Sequence, residues 1–410
     1  MAEVVQTKPF MRTLTVLGST GSIGTSTLSV IRRHKERYRV FALVAGHNAE
    51  LLLNQIIEFR PRVAILATEE GRSQLLAGLE ESRLDRRDWP EVFSAPQARI
   101  QAACATEVDI VVSAIVGVEG LEATYAAVKA GKRVGLANKE VLVAGGSLVM
   151  DAVRQCRAEL IPIDSEHNGA HQCLRAGQSS EVMRLILTAS GGPFRNTPLE
   201  DLAQVTPEQA LNHPTWKMGN RITIDSATMM NKGFEVIEAC WLFDLKPSEI
   251  EVVIHPQSSI HAMVEYKDGS VVAQASTTDM RMPIQYALTY PDREQAPVPR
   301  MDWASKRVWE FYPPDLAKFP LLGLARQAMK SGGSATCTLN AADEVAVEAF
   351  LQRSIRFPEI AEVVAETLAT ISSPPARSIG DILEIDRQSR RLAQQLVNRR
   401  ATVCAGGAGS

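Results

Sequence analysis

Hydrophobic and polar residues alternate in blocks along the first 164 positions of the chain. Short apolar runs recur at residues 13–17, 40–45, 63–66, 109–114, 134–137 and 160–163. Most segments between them have the apolar spacing of amphipathic helices. Strands that are apolar on both faces and alternate with helices are typical of a parallel sheet covered on both sides. Because crossovers are right-handed, the pattern predicts a doubly wound, Rossmann-like α/β domain.

The pattern changes after about residue 164. Residues 183–194 and 251–276 are expected to form strands of a second sheet, with a hairpin turn at Asp268-Gly269. Residues 290–300 are polar and rich in proline, which indicates a linker. Helical periodicity dominates from about residue 321 to residue 398. We therefore predict a central α+β domain followed by a C-terminal helical domain.

Composition and charge narrow the classes of function. With 410 residues the chain exceeds one ordinary core, which favours several domains. The net charge of −3 provides no general attraction for nucleic acid or an anionic membrane, so we expect neither as a partner. No apolar run reaches the roughly 20 residues that span a bilayer, and the N-terminus does not look like a signal or transit peptide. The six cysteines form no metal-ligand spacing and are interpreted as reduced packing residues of a cytoplasmic protein.

A glycine-rich turn follows the first apolar run. Gly18, Gly21 and Gly24 are spaced by threes, and a helical segment is expected to begin near Ser22. A triphosphate-binding loop requires a lysine in this turn, and the segment has none. A dinucleotide site fits better because the glycines permit a tight turn, close approach of a pyrophosphate and helix–sheet packing. A plain tight turn is the alternative.

The end of the second strand indicates which dinucleotide is bound. NAD sites usually place an acidic residue there to bind the ribose 2′-hydroxyl. Here the strand runs into Gly46, His47 and Asn48, so no carboxylate at this point would repel a 2′-phosphate. His47 could carry a positive charge and Asn48 could donate a hydrogen bond, which favours NADP(H). An incidental surface histidine is the alternative for His47.

Three acidic residues are candidates for a metal site. Asp164 and Glu166 end an apolar strand, where side chains two positions apart point the same way. Two close carboxylates repel each other unless a cation lies between them, and oxygen ligands favour Mg²⁺ or Mn²⁺. Glu235 is the third candidate, at helical spacing from Lys232. A solvated strand end and an ordinary helix pair are the alternatives.

Other polar residues could bind an anion. Ser226, Asn231 and Lys232 offer a hydroxyl, an amide and an ammonium group, which together suit a phosphate. Ser190 stands beside two glycines whose backbone could close on the same anion. Lys139 follows another apolar strand, at the sheet edge where ligands gather. A polar helix start is the alternative for Lys139.

Residues 211–220 have the proline and glycine of a loop. They also include Trp216 and Met218, which a solvated loop would not expose. Such a segment suits a flap that covers a ligand and excludes water. Packing of Trp216 into the core is the alternative.

His167 and His171 have the four-residue spacing of a metal-binding pair. Zinc proteases place a glutamate directly after the first of these histidines, and this chain has none there. We therefore assign both histidines to a packed helix face.

Several segments together resemble the 1-deoxy-D-xylulose 5-phosphate reductoisomerase family. They are residues 17–31, 42–48, 135–146, 162–168, 188–195, 213–239 and 253–261. The resemblance covers the chain from about residue 12 to about residue 398. It implies isomerisation and reduction of 1-deoxy-D-xylulose 5-phosphate to 2-C-methyl-D-erythritol 4-phosphate, a step of non-mevalonate isoprenoid precursor synthesis. It also implies NADPH, one divalent ion (Mn²⁺, Mg²⁺ or Co²⁺) and a homodimer.

The same resemblance implies a division into domains. Residues 1–164 would bind NADPH, and residues 165–300 would form the catalytic and dimerisation domain with the flap near 211–220. Residues 301–325 would be a linker, and residues 326–410 a helical domain.

The resemblance also implies roles for individual residues. The metal ligands would be Asp164, Glu166 and Glu235, and the substrate would be surrounded by Ser165, Glu166, Ser190, His213, Ser226, Asn231, Lys232 and Glu235. The cofactor would contact Thr20, Gly21, Ser22, Ile23, Gly46, Asn48, Asn138, Glu140 and Gly219. Lys139 would lie where cofactor and substrate meet, and we count it and His47 with the cofactor contacts. We expect Lys139, Glu166 and His213 to take part in catalysis.

One departure from the family concerns the cofactor. The family often has lysine or arginine where this chain has His47, so a permanent cation beside the 2′-phosphate is missing.

A plain NADP-dependent aldehyde or homoserine-type dehydrogenase, without isomerisation, is the alternative function. A non-catalytic NADPH sensor is a second alternative. Neither would need three metal-binding carboxylates together with a phosphate pocket.

Overall fold

The computed structural model describes residues 11–216 and 218–406, with side chains up to residue 401. The chain divides into two compact units, each assembled from separate segments. Among the described residues, the first unit contains residues 11–138, 151–164 and 279–298. The second contains residues 139–150, 165–278 and the described residues from 299 to 406.

The first unit is built on a seven-stranded sheet. Its strands are β1 (Arg12–Leu17), β2 (Tyr38–Val44), β3 (Val63–Ile65), β4 (Glu91–Phe93), β5 (Ile110–Ser113), β6 (Arg133–Leu136) and β7 (Glu159–Pro162). All pairings are parallel, in the order β4-β3-β2-β1-β5-β6-β7. The order reverses between β1 and β5, which is the arrangement of a doubly wound sheet. The predicted Rossmann-like fold is therefore confirmed.

Helices connect these strands. They are α1 (Ser22–Arg33), α2 (Ala49–Phe59), α3 (Glu69–Glu81), α4 (Pro96–Cys104), α5 (Leu121–Lys129) and α6 (Glu140–Cys156), the last with a non-helical Gly145. Apolar residues of the strands and helices form one core, including Leu14, Leu43 and Val112 from the sheet and Ile31 and Leu52 from the helices. The continuous apolar runs thus correspond to strands buried on both faces.

The second unit contains a four-stranded mixed sheet. Its strands are β8 (Val182–Ala189), β9 (Ile250–Ile254), β10 (Ile260–Tyr266) and β11 (Val271–Ala275), in the order β11-β10-β8-β9. β10 is antiparallel to both neighbours, and β8 is parallel to β9. The predicted hairpin at Asp268-Gly269 joins β10 to β11. The helices α7 (Ser165–Leu174), α8 (Pro207–Leu211), α9 (Asn220–Ala227) and α10 (Met230–Phe243) belong to the same unit.

After β11 the chain returns to the first unit. Helix α11 (Arg281–Thr289) buries Ile284, Ala287 and Leu288 in the core of that unit. The segment after it, predicted as a linker, contains no helix or strand. It is held to the first unit by an ion pair of 2.7 Å between Glu294 and Arg37.

The second unit ends in four helices. They are α12 (Pro320–Ser331), α13 (Ala335–Leu351), α14 (Phe357–Thr370) and α15 (Ile379–Gly406). Leu339 and Phe350 of α13, Ile360 of α14 and Leu396 of α15 share a core with α10. The predicted helical character of the C-terminal region is thus confirmed. No helix in the described residues is long and apolar enough to cross a membrane.

Candidate active site

The turn between β1 and α1 requires glycine at two of its three glycine positions. Gly18 has a φ of +85°, and a Cβ there would overlap the backbone carbonyl of Ala114. A Cβ on Gly24 would overlap Gly18 and Ser19, so Gly24 lets the helix pack against the turn. The nearest atom to a Cβ on Gly21 is 3.4 Å away, and Gly21 is exposed. Gly21 therefore leaves open space above the turn, as close approach of a ligand requires.

The N-terminus of α1 can bind an anion. Gly21 is its N-cap, and within the described chain no side chain caps this terminus. The first turn carries no acidic residue, and Gly21 and Ser22 are exposed. Backbone N–H groups at such a terminus point outward and attract phosphate. Thr20 and Gly21 belong to this turn, and Ser22 and Ile23 are the first residues of α1.

The end of β2 lies beside this turn. The backbone N–H groups of Gly18 and Ser19 both donate to the carbonyl of Val44, each at 2.8 Å. Gly46, His47 and Asn48 follow at this sheet edge and are exposed. The Asn48 side-chain oxygen accepts from the N–H of Leu51 at 2.9 Å and caps α2, so its amide N–H remains the donor toward a ligand.

Asn138 follows β6 and supports a neighbouring loop. Its amide donates to the carbonyl oxygens of Ile115 and Gly117, the latter at 2.9 Å. The side chain is buried. Asn138 therefore shapes the loop after β5, at the carboxyl edge of the sheet.

Acidic residues converge at the start of α7. Asp164 precedes this helix directly, and the ligand atoms of Asp164, His167 and Glu235 all lie within 4.8 Å of one another. His167 Nε2 lies 2.8 Å from the backbone oxygen of Glu235, which can only accept, so Nε2 carries the hydrogen. In the neutral ring Nδ1 then keeps its lone pair. The sequence analysis placed His167 on a helix face and missed this grouping, which its position three residues after Asp164 could have indicated.

Lys232 links Glu166 to Glu235 by a hydrogen bond to each carboxylate. Lys232 Nζ lies 3.1 Å from Glu166 Oε1 and also bonds Glu235. Ser165 Oγ donates to Glu166, and Asn231 donates to Glu235 at 2.6 Å. Lys232 and Glu235 are 3% and 1% exposed, so these charges interact with little screening by water. Residues 69 positions apart in the chain thus share one buried polar cluster.

Lys139 lies beside the same cluster. Its Nζ is 3.7 Å from Glu235 Oε1 and 3.6 Å from Glu238 Oε2. Glu238 is buried and also lies 3.7 Å from His167 Nδ1. The sequence analysis did not single out Glu238. Its position one helical turn after Glu235 was the available signal.

His213 and Ser190 form a second pair. Nδ1 of His213 accepts from the backbone N–H groups of Thr215 and Trp216, at 3.1 and 2.9 Å. The hydrogen of the neutral ring is therefore on Nε2, which donates to Ser190 Oγ at 3.0 Å. Burial and the positive charge of Arg195 lower the pKa of His213 and favour this neutral form. In this arrangement His213 acts as a donor and cannot take the proton of Ser190.

The glycines after Ser190 bring it to the end of α9. The N–H of Gly192 donates to Ser190 Oγ at 3.3 Å. Gly192 has a φ of +67°, and a Cβ there would lie 2.7 Å from the backbone oxygen of Ser226. The close approach places Ser190 and Ser226 on neighbouring backbone segments, as a shared anion pocket requires.

The predicted flap connects α8 to α9. Residues 212–216, 218 and 219 form neither helix nor strand, and Lys217 lies outside the described residues. Trp216 and Met218 are half-buried, and the Trp216 ring centroid is 6.4 Å from that of His261. Gly219 is the N-cap of α9.

Arg221, near the start of α9, links this helix to α6 and α13. Arg221 Nη1 lies 2.5 Å from Glu140 Oε1 of α6 and 2.6 Å from Glu344 Oε1 of α13. Its other terminal nitrogen donates to Asn340 at 2.9 Å. Glu140, one of the predicted cofactor contacts, is thereby held by an ion pair of its own unit.

Three family models match the chain. The model for 1-deoxy-D-xylulose 5-phosphate reductoisomerase matches residues 14–146, and the model for its C-terminal domain matches residues 160–243. A model described as the DXP reductoisomerase C-terminal domain matches residues 275–392. The chain belongs to the 1-deoxy-D-xylulose 5-phosphate reductoisomerase family. The resemblance seen in the sequence is confirmed.

Individual reductoisomerases match over nearly their full length. The one from Solibacter usitatus is 67% identical, over 95% of this chain and 98% of its own. The solved structure of the Zymomonas mobilis reductoisomerase with NADPH is 43% identical, with a TM-score of 0.88 and coverage of 94% and 99%. A DOX-P reductoisomerase solved with NADPH, fosmidomycin and magnesium is 41% identical, with a TM-score of 0.87 and coverage of 95% and 98%. These matches support an isomerising oxidoreductase and not the alternative of a plain dehydrogenase.

Proposed function

We propose that this chain converts 1-deoxy-D-xylulose 5-phosphate to 2-C-methyl-D-erythritol 4-phosphate, using NADPH and one divalent metal ion. The observation that carries the proposal is the buried cluster of Glu166, Lys232 and Glu235, with Asp164 and His167 beside Glu235. A plain hydride transfer has no need of such a cluster. Reductoisomerases solved with NADPH and with magnesium support both cofactors.

Asp164, Glu166 and Glu235 would hold the metal ion. The donor set fits a hard divalent cation such as Mg²⁺, Mn²⁺ or Co²⁺, because carboxylate oxygens dominate it and Glu235 is almost fully buried. His167 adds a nitrogen within reach of Asp164 and Glu235. A divalent ion bound there supplies a Lewis acid for the substrate's ketone and neighbouring hydroxyl oxygens.

NADPH would be held by residues of the glycine turn and of later segments. The turn fits a pyrophosphate, because Gly21 leaves open space and the terminus of α1 carries no side-chain cap. The proposed contacts are Thr20, Gly21, Ser22, Ile23, Gly46, His47, Asn48, Asn138, Lys139, Glu140 and Gly219. NADPH supplies the hydride for the reduction.

Ser190, Ser226, Asn231 and Lys232 would anchor the phosphate of the substrate. Since His213 Nε2 donates to Ser190 Oγ, the hydroxyl hydrogen of Ser190 is directed away from the ring and toward an acceptor. Phosphate binding far from the reacting carbons supplies binding energy for orienting them. Ser165 and Glu166 would face the sugar hydroxyls.

The carbon skeleton would rearrange to a branched aldehyde phosphate before reduction, by retro-aldol cleavage and aldol addition or by direct migration. Lys139 and Glu166 are the groups we propose for moving protons in this step, because both contact the cluster around Glu235. Closure of the flap near residues 211–220 would exclude water from the aldehyde.

We propose a role for each domain. Residues 1–164 would bind the cofactor, residues 165–300 would carry out catalysis, residues 301–325 would be a linker and residues 326–410 would give helical support.

We propose a cytoplasmic homodimer. Large apolar side chains are exposed along residues 303–316: Trp303, Val308, Phe311, Tyr312 and Leu316. Exposed aromatic and aliphatic groups in one segment favour burial against a second copy. The cysteines whose side chains the structure describes form no disulfide, which suits a reducing compartment. They are Cys104, Cys156, Cys173, Cys240 and Cys337.

An absorbance assay tests the proposed function. NADPH oxidation is followed with 1-deoxy-D-xylulose 5-phosphate, with Mn²⁺ or with EDTA. We expect turnover only with both substrate and metal. Turnover that survives EDTA would point to a plain dehydrogenase, and NADPH binding without turnover would point to a sensor.

A further inference from the structure

Glu238 is a buried acid to which neither the sequence nor the proposed chemistry has given a role. It lies on α10, one helical turn after Glu235, and is 3% exposed. Burial of a carboxylate is costly unless positive or polar groups face it. The Lys139 ammonium is such a group, because its Nζ lies 3.6 Å from Glu238 Oε2. His167 Nδ1 lies 3.7 Å from the same oxygen.

Lys139 lies between two carboxylates of the same helix. Its Nζ is 3.7 Å from Glu235 Oε1 and 3.6 Å from Glu238 Oε2, and its side chain is 12% exposed. A lysine side chain has four rotatable bonds, so one ion pair leaves it several arrangements. In the proposed function Glu235 shares its charge with a metal ion, and Glu238 is the second carboxylate beside the ammonium group.

We propose that Glu238 is a positioning residue that holds the Lys139 ammonium beside Glu235. Its second neighbour, His167, is held from the other side by the backbone oxygen of Glu235. Glu238 thus lies beside both Lys139 and His167. The inference rests on the proposed function, in which Lys139 moves protons.

A double-mutant cycle on steady-state turnover tests this role. We expect Glu238→Gln to lower kcat by on the order of 10- to 100-fold, as for other residues that orient a reacting group, and to change KM for the sugar phosphate much less. In a Lys139→Met background the same substitution should have almost no further effect, because the group it positions is gone. Glu238→Asp, which keeps the charge, should recover part of kcat.

Binding measurements separate positioning from a general structural effect. Mn²⁺ affinity by electron paramagnetic resonance and NADPH affinity by fluorescence should match the wild type in Glu238→Gln. Glu265→Gln removes another ion-paired glutamate of the same unit and should leave kcat unchanged. If Glu238→Gln does not fold, Glu238→Asp takes its place in the cycle.

Two results would overturn the inference. Equal losses of kcat with and without Lys139 would show that Glu238 acts independently of it. A loss of Mn²⁺ affinity in Glu238→Gln would make Glu238 a ligand instead. Because the cycle starts from measured wild-type turnover, failure of the proposed function would appear in the wild-type assay, before any variant is compared.

Discussion

At the scale of single residues, His47 is the side chain that we propose beside the 2′-phosphate of the cofactor. It is exposed at the carboxyl end of β2, next to the turn that would hold the pyrophosphate. An arginine carries a permanent charge and donates to phosphate with a bidentate fork, whereas each nitrogen of an imidazole ring donates at most one hydrogen bond. The choice at this one position would therefore change the interaction of the proposed cofactor site with the 2′-phosphate.

We predict that His47→Arg strengthens NADPH binding more than NADH binding. One additional charge-assisted contact to a phosphate is worth about 1 to 2 kcal/mol, or roughly a tenfold gain in affinity. Fluorescence titrations with NADPH and with NADH provide the measurement. Equal gains for both dinucleotides would show that residue 47 does not contact the 2′-phosphate.

A second residue-scale feature is an acid pair beside Arg221. Asp225 Oδ2 lies 3.7 Å from the Arg221 guanidinium, and Asp343 Oδ2 lies 3.9 Å from it. Burial raises the pKa of Asp225 to about 6. Burial and the charge of Asp225 raise the pKa of Asp343 well above its usual range. The folded protein therefore retains protons that the unfolded chain releases above about pH 4.

We predict that Asp343→Asn stabilises the protein increasingly as pH rises. The folded pKa values lie above the unfolded ones, so this pair costs the wild type stability as pH rises from about 4 through the pKa of Asp225 near 6. The asparagine cannot ionise. Melting temperatures at pH 5 and pH 8 should show the variant gaining a few degrees on the wild type at the higher pH. A gain that is the same at both values would contradict the assignment.

At the scale of elements, the turn between β1 and α1 combines folding and binding in three glycines. Gly24 makes space for the helix, whereas Gly21 leaves space for a ligand. Periodicity and spacing were enough to predict this strand–turn–helix element, because each part depends on neighbours in the chain. The motif also predicted Gly24 as the glycine that lets the helix pack, and the folded turn shows the atoms that a Cβ there would overlap, Gly18 O and Ser19.

We predict opposite effects of alanine at these two glycines. Gly24→Ala should lower the melting temperature, because the added Cβ overlaps backbone that cannot move aside. The expected loss in the free energy of unfolding is on the order of 1 to 3 kcal/mol. Gly21→Ala should change stability little and weaken NADPH binding. Thermal unfolding and NADPH titration of both variants make the comparison. A Gly21→Ala variant with wild-type NADPH affinity would argue against the pyrophosphate position.

Helix α11 shows what periodicity does not reveal. Its residues follow the second sheet in the sequence, yet Ile284, Ala287 and Leu288 pack in the core of the first unit. An amphipathic pattern states that a helix has an apolar face, but not which core buries it. The partner is decided by packing between segments that are far apart in the chain.

At the scale of the whole molecule, the exposed apolar segment at residues 303–316 is the surface that we propose for contact with a second copy of the chain. Val308 is 61% exposed in this segment, and Leu199, on a different part of the second unit, is 57% exposed. The two residues are therefore matched in exposure and differ in their surroundings. Of these two residues, only Val308 has other exposed apolar side chains in the same segment.

We predict that Val308→Glu weakens the homodimer and that Leu199→Glu does not. A charge placed in an apolar interface loses its hydration without gaining a partner. Sedimentation velocity at low micromolar concentration should show monomer for the first variant and wild-type behaviour for the second. A monomeric wild type, or two variants that dimerise equally well, would rule out this segment as the interface.

The sequence by itself determined six of the seven strands of the first sheet, the glycine turn and the acidic, hydroxyl and lysine groups available for chemistry, but not the short strand β4. These depend on periods of two and 3.6 residues and on spacings within single elements, which are local properties of the chain. Only the tertiary structure decided that Glu166 and Glu235 share Lys232, that His167 joins Asp164, and that Glu238 faces Lys139. These contacts join α7, α10 and the start of α6, and they form only when burial of apolar surface brings distant segments together.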